Sequence, residues 1–343
     1  MKLMRIGIDL AKDVFELHGV DRDEKPILRK RLRREALLAF FRDQVERDCV
    51  IGMEACGGAH HWARELQKLG FTVRMMAPQH VKPYVKTNKN DARDAEAICE
   101  AMSRPSMRFV PVKTVEQQEI QAVHRARSCL IEHRTAKGNH IRGLMAEFGI
   151  VAPKRLHVLR VHVPRWLDET ENGLQEGGRR VLRGLWQDLL ELDRRVAELD
   201  REINLIARQS RAVQRLMTMP GIGPISATAL VAAVNDGRQF KNGREMAVWL
   251  GLVPAQHSSG GKQCLLSISK RGDSYLRTLL IHGARAVLRM VGQKTDRQST
   301  WLRNLAQRRH PNVAAVAMAH KNARVAWALL SKETAYEPDF AAH

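Results

Sequence analysis

Residues 4–10 read MRIGIDL. Met4, Ile6, Ile8 and Leu10 occupy alternate positions, the period of a strand with one buried face. Asp9 lies on the other pleat face amid apolar neighbours, where a carboxylate is costly unless it is paired or metal-bound. Working outward, residues 14–20 and 26–32 read as two further strands of a meander, joined by the polar turn Asp21-Arg22-Asp23-Glu24. Residues 34–46 are helical by their apolar spacing, and 49–53 (CVIGM) form a short buried strand that ends at Glu54. Gly57 and Gly58 break the chain before a helix that runs through Leu69. Residues 71–76 are another strand, 78–90 are polar and turn-rich, and 91–102 are helical.

Three strands followed by alternating helices and strands give an α/β domain over residues 1–110. By analogy the order fits an RNase H-like (RuvC-like) sheet, in which a meander precedes helix-connected strands. Residues 111–210 read as a basic helical and coiled-coil linker, and 211–343 as a mainly α C-terminal domain.

Charge supplies the first functional clue. Lys and Arg number 57 against 37 Asp and Glu in 343 residues, a net charge of +20. Such a surplus attracts polyanions, because each phosphate contact releases counterions. Nucleic acid is the expected partner. No apolar run approaches the ~18 residues of a spanning helix. Asp9, Lys12 and Asp13 interrupt the stretch where a signal peptide is apolar. A cytoplasmic, nucleoid-associated protein is expected, with no membrane partner. Cys49, Cys56, Cys99, Cys129 and Cys264 are scattered without Cys-x-x-Cys spacing and read as reduced thiols. His60-His61 lacks partners at zinc spacing.

The segment 115–148 is helical and basic, with Arg125, Arg127, Arg134, Lys137 and Arg142 and few interleaved acids, which reads as a phosphate track. Next, Leu182, Leu185, Leu189, Leu192, Val196, Leu199, Ile203 and Ile206 step by three and four. This heptad seam needs a partner helix, either another subunit, which is favoured, or the 115–148 helix folded back. Residues 213–234 contain Pro-Gly-Ile-Gly-Pro between an apolar helix end and an Ala-rich helix, the pattern of a helix–hairpin–helix. Gly221 and Gly223 are expected to supply φ values other residues avoid. The free N–H groups of the following helix suit a backbone phosphate.

Four acids stand where metal chemistry would use them. Asp9 is in the first strand, Glu54 ends the fourth, and Asp91 and Asp94 share one face near a helix start. Phosphodiester chemistry suits two Mg²⁺ ions ~3.5–4 Å apart, each held by hard oxygen ligands at ~2.1 Å.

The ordered motifs IGIDLAK, MEACG, KNDARDA, PGIGP, SSGGK and ISKRG together resemble the DEDD transposases of the insertion-sequence 110/1111 family, over nearly the whole chain. The resemblance implies a RuvC-like catalytic domain with Asp9, Glu54, Asp91 and Asp94 binding Mg²⁺. It implies a nucleophilic serine before a glycine, which falls on Ser259, with Ser258 as the other candidate. It also implies donor and target DNA, a structured noncoding guide (bridge) RNA, and tetramers with active sites shared between subunits; self-association as a dimer or tetramer is expected.

The stretch HSSGGK at 257–262 is not a Walker A loop, since Gln256 and Gln263 occupy positions that loop assigns to Gly and to Ser or Thr. Tight turn and nucleophile both remain. Lys262, Lys270 and Arg271 are placed to offset charge on a reacting phosphate. Three readings follow: an RNA-guided recombinase using serine and acids, a metal-dependent nuclease or Holliday-junction resolvase using the acids alone, and a nucleic-acid scaffold using neither.

Overall fold

The computed structural model describes residues 2–86, 91–260, 262–292 and 294–337. The Lys89-Asn90 half of one motif and Gly261 lie outside them. Two compact units divide the chain, Met1–Thr114 and Val115–His343.

The first unit is built on β1 (Arg5–Leu10), β2 (Val14–Val20) and β3 (Pro26–Arg33), then α1 (Leu37–Gln44), β4 (Val50–Glu54), α2 (Ala59–Lys68), β5 (Thr72–Met76), α3 (Pro78–Val81), α4 (Asp91–Ala101) and β6 (Phe109–Val110). The sheet order is β3-β2-β1-β4-β5-β6. The meander pairs antiparallel, β1–β4 and β4–β5 pair parallel, and β6 returns antiparallel to β5. The period-two pattern explains the layering. Ile6, Ile8, Phe15, Leu17, Ile51 and Met53 point to one face and bury against Phe41 and Trp62 of α1 and α2. Phe15 meets Trp62 edge-on, their ring centroids 5.2 Å apart. The opposite face is covered by α4, whose Ala97, Ile98 and Ala101 pack, with Met102 just beyond its end, against Met76 and Val81.

The second unit comprises α5 (Val115–Ala146), α6 (Leu156–Asp168), α7 (Glu176–Gln209), α8 (Arg211–Met217), α9 (Pro224–Val234), α10 (Gly243–Trp249), the hairpin β7 (Pro254–Gln256) and β8 (Leu265–Ile268), then α11 (Ser274–Met290), α12 (Arg297–Arg308) and α13 (Pro311–Ser331). Helix α5 folds back antiparallel along α7, so within this chain α5 is the partner of the heptad seam. Leu182, Leu189, Val196 and Ile203 are buried. Their alternates Leu185, Leu192, Leu199 and Ile206 are half-buried. Helix α6 closes one end of this pair over Ile141, Met145 and Trp186. The remaining helices share one core around Ala227, Leu230, Leu280 and Met318. No helix among the described residues is long and apolar enough to cross a membrane.

Candidate active site

The acids converge because two glycines let a helix approach the sheet. On β1, Gly7 and Asp9 share the pleat face toward α4, and on β4 Gly52 and Glu54 do the same, Gly7 being register partner of Gly52. A Cβ at Gly7 would lie against the Ala95 carbonyl oxygen and 2.6 Å from the Cys99 nitrogen. A Cβ at Gly52 would overlap the Met102 sulfur. Bare backbone at both positions therefore brings α4 down onto the sheet, with Asp91 and Asp94 in its first turn. Ligand oxygens of Asp9, Asp91 and Asp94 all lie within 4.8 Å of one another.

Glu54 is not one of this trio, yet it is close enough for the Asp94 charge to matter. Burial first, then Asp94, pushes the Glu54 carboxyl above its usual range. Asp9 is pushed up to about 6, first by burial and then by the charges of Asp94, Asp91, Glu54 and Glu16. Carboxylates crowded in this way disfavour their own ionisation until a cation neutralises them. The donor set is all carboxylate oxygen, which suits hard divalent ions of the Mg²⁺ type.

Glu16 is the acid that sequence reading missed. It lies directly across from Asp9 in the β1–β2 register, hence on the same face. Arg31, its register partner on β3, pairs with it at 3.3 Å.

Residues 257–260 and Lys262 lie at the tip of the β7–β8 hairpin. Ser258 Oγ accepts hydrogen bonds from Gln256 Nε2 at 2.8 Å and from the Cys264 main-chain N–H at 3.3 Å. Ser259 is exposed, and its main-chain oxygen accepts from the Lys262 N–H at 3.1 Å. Its hydroxyl has no protein partner among the described residues. Gly260 holds φ +56°, the left-handed conformation a glycine takes without strain. Lys262 is at the hairpin tip, whereas Lys270 and Arg271 lie past its base; all three are exposed. The turn carrying Lys270 and Arg271 is crossed closely by α10's end, for a Cβ at Gly251 would come 2.8 Å from the Arg271 nitrogen.

Pro-Gly-Ile-Gly-Pro joins α8 to α9 as expected, with one correction. Gly221 is left-handed at φ +84°, but Gly223 is the N-cap of α9 at φ −98°, which any residue adopts. The free N–H groups at the start of α9 need an extended N-cap, not a left-handed one. The Gly221 turn crosses α11 closely, since a Cβ there would come 2.8 Å from the Gly283 oxygen.

On α5, Arg127 pairs with Asp200 at 2.6 Å, Arg134 with Asp193 at 3.4 Å and Lys137 with Asp188 at 2.8 Å. These bases face α7. The acids that neutralise them come from 51 to 73 residues away, which local sequence does not reveal. Nearby, His124 is buried and joins three helices: its Nδ1 lies 2.9 Å from Tyr275 Oη and its Nε2 2.9 Å from Thr228 Oγ1. Thr228 donates to the Pro224 carbonyl at 2.7 Å. Its hydroxyl oxygen therefore accepts from Nε2–H, and Nδ1 accepts from Tyr275. Burial, then Arg127, lowers the His124 pKa to about 4.

A DEDD-type IS110 family model described as "Transposase" matches residues 6–150. A second, "Transposase IS116/IS110/IS902 family", matches 213–300. The chain is 55% identical to a "Probable family 20 transposase" of Pseudomonas aeruginosa, over 98% of this chain and 100% of that one. It is 46% identical to the "Transposase for insertion sequence element IS1111A" of Coxiella burnetii, covering 96% of this chain and 90% of the relative. It is 39% identical to the transposase for IS1328 of Yersinia enterocolitica, over 96% and 98%. One family model thus spans the α/β sheet with its clustered acids and runs on through α5, the other spans the glycine turn and the serine hairpin, and the chain belongs to the IS110 family of insertion-sequence transposases.

Proposed function

We propose that the chain is an RNA-guided recombinase that cuts and rejoins DNA through a serine-phosphate link. The observation that carries this reading is the convergence of Asp9, Asp91 and Asp94, with Glu54 beside them, on one face of the six-stranded sheet. These four acids would hold Mg²⁺, as two ions, which would supply charge neutralisation at the reacting phosphate. Ser259 is the nucleophile. Its free, exposed hydroxyl favours it over Ser258, whose oxygen is already engaged by Gln256 and Cys264. In the step, Ser259 Oγ gives up its proton and bonds to phosphorus, while the scissile P–O bond breaks and its oxygen leaves as a hydroxyl after gaining a proton. The phosphoserine bond keeps the strand ready for rejoining. Lys262, Lys270 and Arg271 offset charge on that phosphate.

The start of α9 beyond Gly221 and Gly223 holds a backbone phosphate. Arg127 and Arg134 support the nucleic-acid surface by fixing α5 on α7. Donor and target DNA pair with a structured noncoding guide (bridge) RNA. The half-buried stripe Leu185, Leu192, Leu199 and Ile206 provides contacts for a dimer or tetramer, and the protein works where the DNA lies, in the cytoplasm and nucleoid.

The test combines protein, Mg²⁺, the element's noncoding RNA and labelled donor and target DNA. A denaturation-resistant protein–DNA adduct is expected with wild type and Ser258→Ala and not with Ser259→Ala. Cleavage without any adduct would replace this reading by that of a metal-dependent nuclease or junction resolvase.

A further inference from the structure

The edge strand β3 carries Arg29, Arg31 and Arg33 on alternate positions, so all three lie on one face. The register fixes which face. Arg29 pairs with His18, Arg31 with Glu16 and Arg33 with Val14. Glu16 in turn pairs with Asp9, and His18 with Gly7. The three arginines therefore lie on the face of the acid cluster, two strands and about 10 Å from it. Arg31 is level with Asp9, Arg33 one step ahead and Arg29 one step behind.

All three are exposed. Arg31 is tied to Glu16, whereas Arg29 and Arg33 form no salt bridge among the described residues; Arg29 lies near enough to Glu96, which is paired with Lys86, to help lower its pKa. The contrast with the other face is informative. There Leu28 and Leu32 join the core, and Lys30 lies over the Phe40 ring at 4.6 Å with its ammonium 3.4 Å from Gln44 Oε1. A row of guanidinium groups, its two outer members without a salt bridge among the described residues, beside an acid cluster is complementary to a polyphosphate chain running toward those acids.

We infer that the Arg29–Arg31–Arg33 face of β3 is a phosphate track that holds the DNA strand entering the acid cluster. This rests on the acid cluster being the cutting site proposed above. Same-face residues on a strand repeat every ~6.6–6.8 Å, so the three guanidinium groups are spaced to meet successive phosphates along one strand's backbone. The Glu16–Arg31 pair keeps the middle guanidinium at the border between the basic row and the acids, so the strand's charge passes from cationic side chains to the acid cluster.

The experiment is a fluorescence-anisotropy titration of the full chain with a labelled DNA of arbitrary sequence, in EDTA, across a salt series. Because no cleavage is required, failure of the metal or serine chemistry leaves this readout intact. Arg29→Ala/Arg33→Ala is expected to weaken binding and to reduce the slope of log K against log salt by about 0.9 per arginine on duplex DNA, or about 0.7 on a single strand. Lys30→Ala, on the opposite face of the same strand, is expected to leave the slope unchanged. An unaltered slope in the double variant, or an equal fall in Lys30→Ala, overturns the inference. A fall seen with RNA of the same sequence and absent with DNA also overturns it, assigning the row to RNA.

Discussion

Replacing Gly7 by alanine tests whether sheet-to-helix spacing builds the acid cluster. The new Cβ would lie against the Ala95 oxygen and 2.6 Å from the Cys99 nitrogen, where ordinary contacts begin at 3.4 Å. Both are backbone atoms of α4. No rotamer change relieves the overlap, so the helix has to withdraw by roughly 1 Å. Inserting a methyl group into a packed layer costs about 1–3 kcal/mol. For a unit of roughly 100 residues that lowers the melting temperature by about 4–8 °C per kcal/mol. The effect on the site is larger, because Asp91 and Asp94 move with α4 while Asp9 stays on β1. Ligand atoms now within 4.8 Å of one another would separate, and coordination tolerates only about 0.2 Å. Gly52→Ala is the matched comparison, since its Cβ meets the Met102 sulfur, the end of a flexible side chain that can swing aside. The assay is thermal unfolding with and without saturating Mg²⁺ or Mn²⁺. An ion at a hundred times its Kd stabilises by about 2.7 kcal/mol, a gain expected for wild type and Gly52→Ala and lost in Gly7→Ala. A Gly7→Ala protein that melts with the wild type and keeps the full metal-induced shift refutes the reasoning.

Three further expectations are open to measurement. Asp9, raised to about 6, contributes stability that is complete below its unfolded pKa and is lost as pH rises through 6. Asp9→Asn should therefore melt above wild type in EDTA at a pH of about 8 and lose strand transfer; a lower melting point would show that the charge is not strained. His124 has the opposite sign, its pKa being lowered from 6.5 to about 4. Its contribution is present above 6.5 and fades as pH falls toward 4, amounting to ~3 kcal/mol at full titration. His124→Gln should flatten that part of the acid-stability profile, and an unchanged profile would remove His124 from the account. Asn at both Leu192 and Leu199 should shift a sizing profile toward smaller species; an elution identical to wild type would exclude the half-exposed heptad stripe from assembly.

The strands were legible because each puts its apolar residues at every second position, and Asp9 drew attention by breaking an apolar stretch. Glu16 carries no such mark: its neighbours Phe15 and Leu17 are ordinary, and it joins the site only through pairing with Asp9. Register is a property of two strands and does not show in either alone. The role of Gly7 and Gly52 was hidden for the same reason, since it depends on a helix more than 40 residues further along the chain. The charge of α5 was legible, but the acids of α7 that face it were not. The heptad period announced a partner helix without naming it, and both α5 and a second copy satisfy that pattern. The two-residue strand β6 is too short to show any period.

The close crossings in the second unit have a mechanical consequence. Gly221 meets Gly283 of α11 backbone to backbone, and Gly251 meets the Arg271 turn that feeds the same helix. Contacts of this kind contain no side chain that can swivel to absorb a displacement. The α8–α9 turn, α11 and the base of the serine hairpin therefore behave as one solid part. Under the proposed function, a DNA backbone gripped at the turn would be kept at a set reach from the hairpin, and the region would work as a ruler that selects by distance which phosphate is presented.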